Sequence, residues 1–304
     1  MRRRIEDMVV VITGASSGIG RSLVERLSAR GAKLVIAARR MKRLEAINAE
    51  LGGKHVCVRT DVSEPEECGR LIREAVEKFG RIDTLVCNAG YGLIRPMTET
   101  SGEDILRLMR TNLIGTTECS RAVVPEMLAQ QPRGGWKGQI VVVSSAAARR
   151  GLPDFGAYTA TKAAQLSVAE AMRVELRGTG IAITTVHPVT TATEFFRAAI
   201  RLSGVRPPQR RGIEGFQSSD AVAAAIVRSI EQPRPEVWPH RRYRLLMAFT
   251  AFAPRVVDLI LAERRRRRSR RANDSPVAPY LPQDAMTGEA CSANAVPPTV
   301  SPLS

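Results

Sequence analysis

The sequence predicts an α/β fold, a doubly wound parallel sheet with helices on both faces. Short apolar runs alternate with helical patterns from residue 8 to residue 187. The first of these runs, from Met8 to Thr13, is unbroken, which is typical of a strand buried on both faces. Strict alternation of strand and helix is the pattern of a parallel sheet with right-handed crossovers.

Further strands are expected where short apolar runs recur between turn residues. They cover residues 33–38, 55–59, 84–87, 139–144, 181–187 and 236–238. Helical periodicity lies between them at residues 19–29, 41–51, 65–79, 102–131, 158–176, 193–202 and 220–230. Gly31 is expected to end the first helix, and Ser219 or Asp220 to cap the last. The rest of residues 189–217 is expected to form a loop.

The composition is that of an ordinary globular domain followed by two unusual segments. Of the 304 residues, 44% are hydrophobic and 25% are charged, which is enough for a large core. We expect one domain over residues 1–240 and an apolar, arginine-rich helical extension over 241–271. The net charge is +16, and the extension concentrates arginines against only Asp258 and Glu263. Residues 272–304 lack apolar periodicity, which predicts a disordered tail.

The extension has two interpretations. Between Tyr243 and Ala262 it is largely apolar, interrupted by Pro254, Arg255 and Asp258. An apolar helix flanked by arginines is typical of a segment that lies at a membrane surface. Alternatively, it packs on the domain or covers a dimer surface. Binding of nucleic acid is not expected, because the arginine block at 264–271 has neither interleaved aromatic residues nor a reading motif.

The five cysteines form no CxxC pair, and no cluster of histidine and cysteine suggests a metal site. We therefore expect free thiols in a reducing compartment and no metal. The first apolar run is too short for a signal-peptide core, and no run reaches the roughly 18 residues of a membrane span. The expected location is the cytoplasm, with peripheral contact to a membrane as the open alternative.

A glycine-rich turn follows the first strand and opens the first helix. At this place in a βαβ unit, backbone N–H groups and a helix N-terminus bind the pyrophosphate of a dinucleotide. The glycine spacing is GxxxGxG. The cofactor ligands predicted in this turn are Gly14, Ser16, Ser17, Gly18, Ile19 and Gly20.

The end of the second strand indicates which dinucleotide binds. An acidic residue there would accept hydrogen bonds from the ribose 2′-hydroxyl of NAD, but the chain has Ala37 and Ala38 followed by Arg39 and Arg40. Arginine can hold the 2′-phosphate of NADP with charge-assisted hydrogen bonds. We therefore favour NADP(H) over the alternative that both arginines are merely solvated.

A tyrosine and a lysine four residues apart share one helix face further along the chain. The ammonium of Lys162 is expected to favour the phenolate of Tyr158 and so to lower the pKa of the tyrosine. Such a tyrosine can exchange a proton with a carbonyl oxygen. The hydroxyl of Ser145 can hold the same oxygen if the fold brings it alongside. The plainer alternative is a surface pair on an amphipathic helix.

In this order and at these spacings, the motifs of residues 6–240 resemble those of the short-chain dehydrogenase/reductase family. The resemblance implies a Rossmann-type sheet of about seven strands, a nicotinamide cofactor, interconversion of a carbonyl and an alcohol, and a homodimer or homotetramer. The residues that carry it are Gly14-x-x-x-Gly18-x-Gly20, Asp61, Asn88-Ala89-Gly90, Asn112, Ser145, Tyr158-x-x-x-Lys162, Pro188 and Thr193.

The resemblance also implies a role for each matched position. Tyr158 would be the general acid and base, Lys162 would bind the nicotinamide ribose, and Ser145 rather than Ser144 would polarise the substrate oxygen. Asn112 would hold the water that links Lys162 to solvent. The remaining cofactor contacts would come from Asp61 and Val62 at the adenine, Asn88, Ala89 and Gly90 beside the sheet, and Pro188 and Thr193 at the nicotinamide.

Two positions depart from the family pattern. Cys87 stands where an asparagine is common, and we expect it to be structural. Val189 stands where a glycine is usual, and a β-branched residue cannot adopt a positive φ cheaply, so the local loop is expected to differ. His187, which ends an apolar strand, is expected to be buried and hydrogen-bonded rather than catalytic.

The sequence therefore predicts an NADPH-dependent reductase of a ketone or aldehyde, which can also oxidise the matching secondary alcohol. Phe195 and Phe196 in the expected substrate loop, together with the apolar extension, favour an apolar or lipid-like substrate. One alternative is an NADP-dependent alcohol dehydrogenase of sterol-like or retinoid-like substrates. The other is a non-catalytic NADP(H)-binding regulator or membrane scaffold.

Overall fold

The computed structural model describes residues 2–192, 194–203 and 217–273, so the predicted tail and Thr193 lie outside the described residues, apart from the backbone of residues 272 and 273. Seven described strands form one parallel sheet, and the doubly wound sheet predicted from the sequence is confirmed. The strands are β1 Val9–Thr13, β2 Lys33–Ala38, β3 Val56–Arg59, β4 Thr84–Cys87, β5 Gly138–Val143, β6 Ile181–Val186, β7 Thr191–Ala192, β8 Gln217–Ser218 and β9 Glu236–Val237. Their order across the sheet is β3-β2-β1-β4-β5-β6-β9, and β7 and β8 form a second, two-stranded sheet.

Helices pack on both faces of this sheet. They are α1 Gly18–Ser28, α2 Met41–Glu50, α3 Pro65–Phe79, α4 Gly102–Met109, α5 Gly115–Ala129, α6 Gly156–Glu175, α7 Glu194–Ser203, α8 Ser219–Glu231, α9 Arg242–Phe252 and α10 Pro254–Asn273. The ends of most predicted elements agree within a residue or two. The cap of α8 is Ser218, whose hydroxyl accepts a hydrogen bond from Ala221 N at 3.1 Å, so the prediction of Ser219 or Asp220 was wrong by one position.

The sheet separates two apolar cores. Val10 and Ile12 of β1 pack in the core under α1, α2 and α8, whereas Val11 packs in the core under α3, α5 and α6. Successive side chains of a strand point to opposite faces, so a strand between two helical layers must be apolar throughout. This requirement explains why the first strand is an unbroken apolar run.

The chain reverses its direction of travel across the sheet between β1 and β4. From β1 it proceeds outward through β2 and β3, then returns to pair β4 with the other side of β1. Thr13 joins the two carboxyl ends, since its hydroxyl accepts hydrogen bonds from Asn88 N at 3.0 Å and Ala89 N at 3.1 Å. A crevice at such a switch point is where ligands bind in open α/β sheets.

The helix predicted over residues 102–131 is not continuous. Helices α4 and α5 are joined by a π-helical turn, Arg110–Ile114. Such a turn adds one residue without ending the helix, and no proline or glycine between Glu103 and Ile114 marks it in the sequence. The turn buries Asn112 completely and brings its side chain to the carboxyl edge of the sheet.

The C-terminal helices pack beside the loop that follows β5. Helix α9 lies against the short helical turn Ala146–Arg149, and α10 is joined to the same loop by an ion pair of Arg150 with Asp258. Among the described residues no single helix has the length and apolarity to span a membrane, although α9 and α10 together pass that test with a bend of 108°. The pair leaves a row of apolar side chains exposed, here called the extension surface: Leu245, Leu246, Phe249, Phe252, Val256, Leu259 and Ile260.

Candidate active site

The glycine turn is shaped by contacts with the end of β4. Gly14 has φ +66°, and a Cβ there would lie 2.8 Å from Ala89 Cα, so only glycine fits. Asn88 Nδ2 donates hydrogen bonds to Thr13 O at 2.9 Å and to Gly14 O at 3.2 Å. Asn88 therefore braces the turn. The N-terminus of α1 faces the crevice without a side-chain cap from Ser17, an arrangement that suits a pyrophosphate.

An arginine cluster lies next to the turn. Arg40 Nη2 donates hydrogen bonds to Ser16 Oγ at 3.0 Å and to Ser17 Oγ at 3.1 Å. Its Nη1 donates to Glu194 Oε2 at 3.1 Å, and Arg43 Nη1 lies 3.0 Å from both carboxylate oxygens of Glu194. The cluster thus joins the turn to the first residue of α7. Arg43 and Glu194 were not among the predicted site residues, because only the packing of α7 brings them to the turn.

Arg39 is separate from this cluster. Its side chain is 69% exposed, and its Nη1 lies 3.8 Å from Asp61 Oδ2. Asp61 also accepts hydrogen bonds from the backbone N and the hydroxyl of Ser63, at 3.1 and 2.8 Å. The neighbouring Val62 is buried against Gly115. Asp61 and Val62, which were predicted to contact the adenine, are therefore close to Arg39, which was predicted to bind the 2′-phosphate. All three lie at the carboxyl ends of β2 and β3.

Ser145 and Tyr158 meet at the carboxyl end of β5. The side chain of Ser145 is near enough to the phenol of Tyr158 to lower the pKa of that group, and its hydroxyl accepts a hydrogen bond from Ala147 N at 3.1 Å. The adjacent Ser144 is buried and donates instead to Lys162 O at 3.1 Å, which ties β5 to α6. Of the two serines, Ser145 is the one that interacts with the tyrosine, and its role in polarising the substrate oxygen stays a prediction.

The expected lowering of the pKa of Tyr158 by Lys162 is wrong for this conformation. Burial of the hydroxyl raises the pKa of Tyr158 to about 12, although the hydrogen bond with Ser145 opposes this rise. The ammonium of Lys162 lies 6.0 Å from the centroid of the tyrosine ring, and burial lowers the pKa of the lysine to about 7. Desolvation is thus the largest cause of both shifts, opposed at Tyr158 by Ser145 and at Lys162 by the thiol of Cys87.

Lys162 begins a chain of hydrogen bonds across the interior. Its Nζ donates to Val143 O at 3.0 Å and to Gln165 Oε1 at 2.8 Å. Gln165 Nε2 donates to Thr116 Oγ1 at 2.6 Å, and this hydroxyl donates to Asn112 O at 2.9 Å. Every donor in the chain points from the lysine toward the π-helical turn. The sequence offered a signal for Gln165, which stands three residues after Lys162 on the same helix face.

The side chain of Asn112 has a structural part in the site. Its Oδ1 accepts from Tyr91 N at 3.0 Å, and its Nδ2 donates to Tyr91 O at 3.0 Å and to Thr161 Oγ1 at 2.9 Å. These bonds hold the segment after β4 against α6. Gly90 lies in this contact, since a Cβ there would be 3.0 Å from Asn112 Oδ1 and 3.5 Å from Lys162 Nζ.

Helix α7 covers the tyrosine. The ring of Phe195 makes an edge contact with that of Tyr158, with centroids 5.2 Å apart. A Cβ at Gly92 would lie 2.5 Å from Phe195 Cζ, so the phenyl ring fills the space beside this glycine. The side chain of Phe196 lies outside the described residues.

The segment after β6 begins with His187 and Pro188. His187 is buried, stacks on Trp238 at 4.4 Å, and bonds Ser145 O and Thr185 Oγ1, as expected of a structural histidine. Pro188 O accepts a hydrogen bond from Ala146 N at 2.9 Å. Val189 does not adopt a positive φ, because Asp7 and Asp154 are the described non-glycine residues that do. The loop after Pro188 therefore avoids the strained turn.

The buried thiol of Cys87 supports the structural role that was predicted for it. Its Sγ lies 3.9 Å from Thr116 O, and burial raises its pKa to about 12. A thiol in this state is not a nucleophile at neutral pH. The described cysteines, Cys57, Cys68, Cys87 and Cys119, are all free.

A glycine-rich turn suited to a pyrophosphate lies at the switch point of a Rossmann sheet, with a tyrosine and a lysine at the same edge. This combination is typical of an oxidoreductase that uses a nicotinamide dinucleotide. Comparison with known proteins agrees. The profile of the short chain dehydrogenases matches residues 8–201. The chain belongs to the short-chain dehydrogenase/reductase family, and the resemblance found in its sequence is confirmed.

Individual relatives cover most of the chain. An 11-beta-hydroxysteroid dehydrogenase-like protein 4A of Arabidopsis thaliana is 30% identical over 265 residues, which are 84% of this chain and 83% of the relative. A glycine betaine reductase of Emericella nidulans is 32% identical over 232 residues, or 75% of this chain, but these are only 18% of that protein. The shared region in that case is one part of a much longer chain.

Solved structures give the same fold with either nicotinamide cofactor. A short chain dehydrogenase/reductase from Burkholderia phymatum in complex with NAD superposes with a TM-score of 0.74 at 26% identity, covering 83% of this chain and 96% of that one. An alcohol dehydrogenase from Thermococcus sibiricus complexed with 5-hydroxy-NADP gives a TM-score of 0.65 at 27% identity, covering 77% and 96%. The family thus includes both cofactors.

Proposed function

We propose that this protein is an NADPH-dependent reductase of an apolar ketone or aldehyde, which can also oxidise the matching secondary alcohol. The observation that carries the proposal is the placement of Ser145 and Tyr158 beside Lys162, at the edge of the sheet where the glycine turn and Arg40 lie. A non-catalytic binding protein has no need of this set. We also propose a cytoplasmic homodimer or homotetramer, as the family resemblance implies.

The residues of the site divide the reaction between them. NADPH, when bound, supplies the hydride, with its two electrons, to the carbonyl carbon. Ser145 donates a hydrogen bond to the carbonyl oxygen and holds it against the phenol of Tyr158, which transfers its proton to that oxygen. A pKa near 12 keeps Tyr158 protonated and thus ready to act as the acid. Protonated Lys162 stabilises the phenolate that remains, and oxidation of the alcohol runs these steps in reverse.

The cofactor preference rests on charge at the adenosine end. The described residues offer no acid at the end of β2, whereas Arg40 bonds Ser16 and Ser17 of the turn and shares the carboxylate of Glu194 with Arg43. This donor set suits a dianionic 2′-phosphate better than a neutral hydroxyl. Arg40 is thus the primary ligand we propose for the 2′-phosphate, with Arg39 nearer the adenine.

Phe195 supports an apolar substrate. Its ring lies against Tyr158, and Leu93 and Ile94 are buried on the segment that α7 covers. An apolar wall beside the acid selects for substrates that have a hydrocarbon surface next to the carbonyl. The relative named as 11-beta-hydroxysteroid dehydrogenase-like supports the same class, and it keeps the oxidative direction with a sterol-like alcohol as the second candidate.

One experiment tests the proposed function directly. A panel of ketones, aldehydes and secondary alcohols of graded apolarity is assayed with NADPH and NADP, and in parallel with NADH and NAD. We expect turnover of apolar carbonyls with NADPH at a higher kcat/KM than with NADH. A preference for NADH would refute the role of Arg40, and binding of NADPH without turnover of any compound would support the non-catalytic alternative.

We further propose that the extension surface contacts anionic lipid. Its apolar side chains are widely exposed, with Phe252 of α9 at 91% and Leu259 of α10 at 72%. Exposed arginines follow further along α10, at residues 264–267. An apolar face next to a block of positive charge is complementary to the interface of an anionic membrane. Because α9 packs on the segment that follows Ser145, the contact would bring the site close to lipid-dissolved substrates.

Vesicle sedimentation tests the lipid contact. We expect the protein to bind phosphatidylglycerol-containing vesicles more strongly than pure phosphatidylcholine vesicles. The double variant Phe252→Asp, Leu259→Asp should lose this binding, whereas Val174→Asp, at a residue that is 73% exposed on α6, should keep it. Equal behaviour of both variants would contradict the proposal and leave the extension as a packing element.

A further inference from the structure

Helix α7 is anchored at its first residue by charge. The carboxylate of Glu194 accepts hydrogen bonds from Arg40 Nη1 at 3.1 Å and from Arg43 Nη1 at 3.0 Å. Burial opposes ionisation of this group, but the hydrogen bonds from the two arginines outweigh it and lower the pKa of Glu194. At neutral pH an anion therefore lies between the two arginines.

The same guanidinium of Arg40 contacts the glycine turn. Its Nη2 bonds Ser16 Oγ and Ser17 Oγ, so the group that holds Glu194 is also the group that borders the pyrophosphate site. A guanidinium that bridges this turn to an anion is in the place expected for a 2′-phosphate ligand. The carboxylate of Glu194 and a 2′-phosphate are both oxyanions, and they compete for the same donors.

The next residue along the helix covers the acid of the site. Phe195 lies in edge contact with Tyr158 and fills the space beside Gly92. A helix advances only ~1.5 Å per residue, so Glu194 and Phe195 must move together. At its other end, α7 is held by Ser203, whose hydroxyl accepts a hydrogen bond from Ile94 N at 2.8 Å. Release of Glu194 therefore removes the ionic anchor from the end of α7 that covers the tyrosine, where the chain arrives from the short strand β7, paired with β8.

We propose that Glu194 occupies the 2′-phosphate position in the protein without cofactor, and that NADP(H) displaces it and so lifts Phe195 from Tyr158. The cofactor thereby opens the substrate site in the act of binding. NAD, which has no 2′-phosphate, offers nothing to replace the bonds of Glu194 with Arg40 and Arg43. Glu194 is thus a specificity residue as well as a latch. This inference rests on the proposed use of NADP(H).

The direct test uses two nucleotide fragments that lack nicotinamide. Calorimetric titration with 2′,5′-ADP, which carries the 2′-phosphate, is compared with 5′-AMP, which does not. Exposed ion pairs each change an equilibrium by a factor of a few, so the variant Glu194→Gln should bind 2′,5′-ADP about three- to tenfold more tightly than the wild type. Its affinity for 5′-AMP should be unchanged.

A charge-matched control is available in the same chain. Asp220 pairs with Arg26 at 2.6 Å on an exposed surface of α1 and α8. The variant Asp220→Asn removes one negative charge from an arginine-paired carboxylate, as Glu194→Gln does where two arginines share the carboxylate, but it should leave the affinity for 2′,5′-ADP as in the wild type. Equal gains in both variants would show a general charge effect and would overturn the inference.

Hydrogen exchange tests whether displacement of Glu194 releases the start of α7. Addition of 2′,5′-ADP to the wild type should speed the exchange of amides at the start of α7, whereas 5′-AMP should not. Unchanged exchange with bound 2′,5′-ADP, or equal affinities of wild type and Glu194→Gln for it, would overturn the latch. Failure of both the wild type and Glu194→Gln to bind 2′,5′-ADP would instead contradict the proposed cofactor, so the two failures are distinguishable.

Discussion

Lys162 Nζ donates a hydrogen bond to Gln165 Oε1 at 2.8 Å in the buried interior of the site. The side-chain amide of Gln165 donates a hydrogen bond to Thr116 Oγ1, and the Thr116 hydroxyl donates one to Asn112 O. The lysine is thus connected to the π-helical turn through side chains of the protein. Because both Gln165 and Thr116 are largely shielded from solvent, the position of the lysine depends on them.

The first prediction concerns this glutamine. Gln165→Leu removes an acceptor for the lysine and a donor to Thr116, and loss of such buried bonds costs roughly 1–3 kcal/mol. We expect kcat to fall about 10- to 100-fold, with cofactor affinity changed much less. Steady-state kinetics with NADPH checks the change in kcat, and a thermal unfolding curve checks that the variant folds.

The pH profile separates a positioning role from a structural one. Burial lowers the pKa of Lys162 to about 7, so kcat/KM for reduction should decline as the pH rises above this value and the lysine loses its charge. The isosteric variant Gln165→Glu brings a negative charge to the lysine and should move this decline to higher pH. Gln165→Leu should move it to lower pH, and unshifted profiles in both variants would contradict the assignment.

The second prediction concerns the phenol. Tyr158→Phe removes the proton that the carbonyl oxygen requires and leaves the ring contact with Phe195 in place. Turnover should fall by about 10²- to 10⁴-fold, the usual contribution of a general acid. The affinity for NADPH, measured by its fluorescence, should stay near the wild-type value. Full turnover in this variant would remove Tyr158 from the mechanism.

The third prediction uses the adjacent serines as a matched pair. Ser145→Ala removes the hydrogen bond to the reacting oxygen, and kcat should fall about 10²- to 10³-fold. It also removes the acceptor for Ala147 N, which should cost about 1 kcal/mol of stability. Ser144→Ala leaves Lys162 O without its buried donor and should lower the free energy of unfolding by about 1–3 kcal/mol. Urea unfolding and kinetics on both variants check the contrast, and a larger loss of kcat in Ser144→Ala would reverse the assignment.

The fourth prediction concerns the arginine cluster. Arg40→Ala removes the guanidinium that bonds Ser16 and Ser17, and a hydrogen bond to a charged group contributes about 1.5–3 kcal/mol. We expect kcat/KM with NADPH to fall at least tenfold, while kcat/KM with NADH stays within a factor of about two. Arg228→Ala on α8 supplies a control of equal charge, and an equal loss with both cofactors would contradict a 2′-phosphate contact.

The fifth prediction concerns stability in acid. Burial, opposed by a hydrogen bond with Ser145 O, lowers the pKa of His187 to about 4 from its ordinary value of 6.5. Between pH 6.5 and pH 4 the imidazole of His187 binds a proton in the unfolded chain but stays neutral in the folded chain. His187 therefore lowers the free energy of unfolding as the pH drops from 6.5 to 4. His187→Gln should flatten this dependence by up to about 1.4 kcal/mol per pH unit. Urea unfolding at pH 4.5 and pH 7 measures the difference, and an unchanged slope would place the acid sensitivity elsewhere.

Much of the fold was predictable because burial on both faces forces a readable pattern. Strands such as Lys33–Ala38 and Thr84–Cys87, and the helix Pro65–Phe79, agree with the predicted bounds, since apolar runs and turn residues mark their ends. The π-helical turn was missed because the helix continues on both sides of it and no proline or glycine within it marks a break. In the site, the spacing of Ser145, Tyr158 and Lys162 indicated their proximity, because parallel strands bring their carboxyl ends to one edge.

The sequence by itself determined the doubly wound sheet, the glycine turn at its switch point and the residues expected to carry the chemistry. Tertiary structure alone decided the contacts that join distant segments: Glu194 between Arg40 and Arg43, Phe195 over Tyr158, and Thr116 under Gln165. It also decided the direction of the pKa shifts. Spacing along a helix reports the nearness of a charge, whereas desolvation depends on everything that packs around the group, and here desolvation is the larger effect.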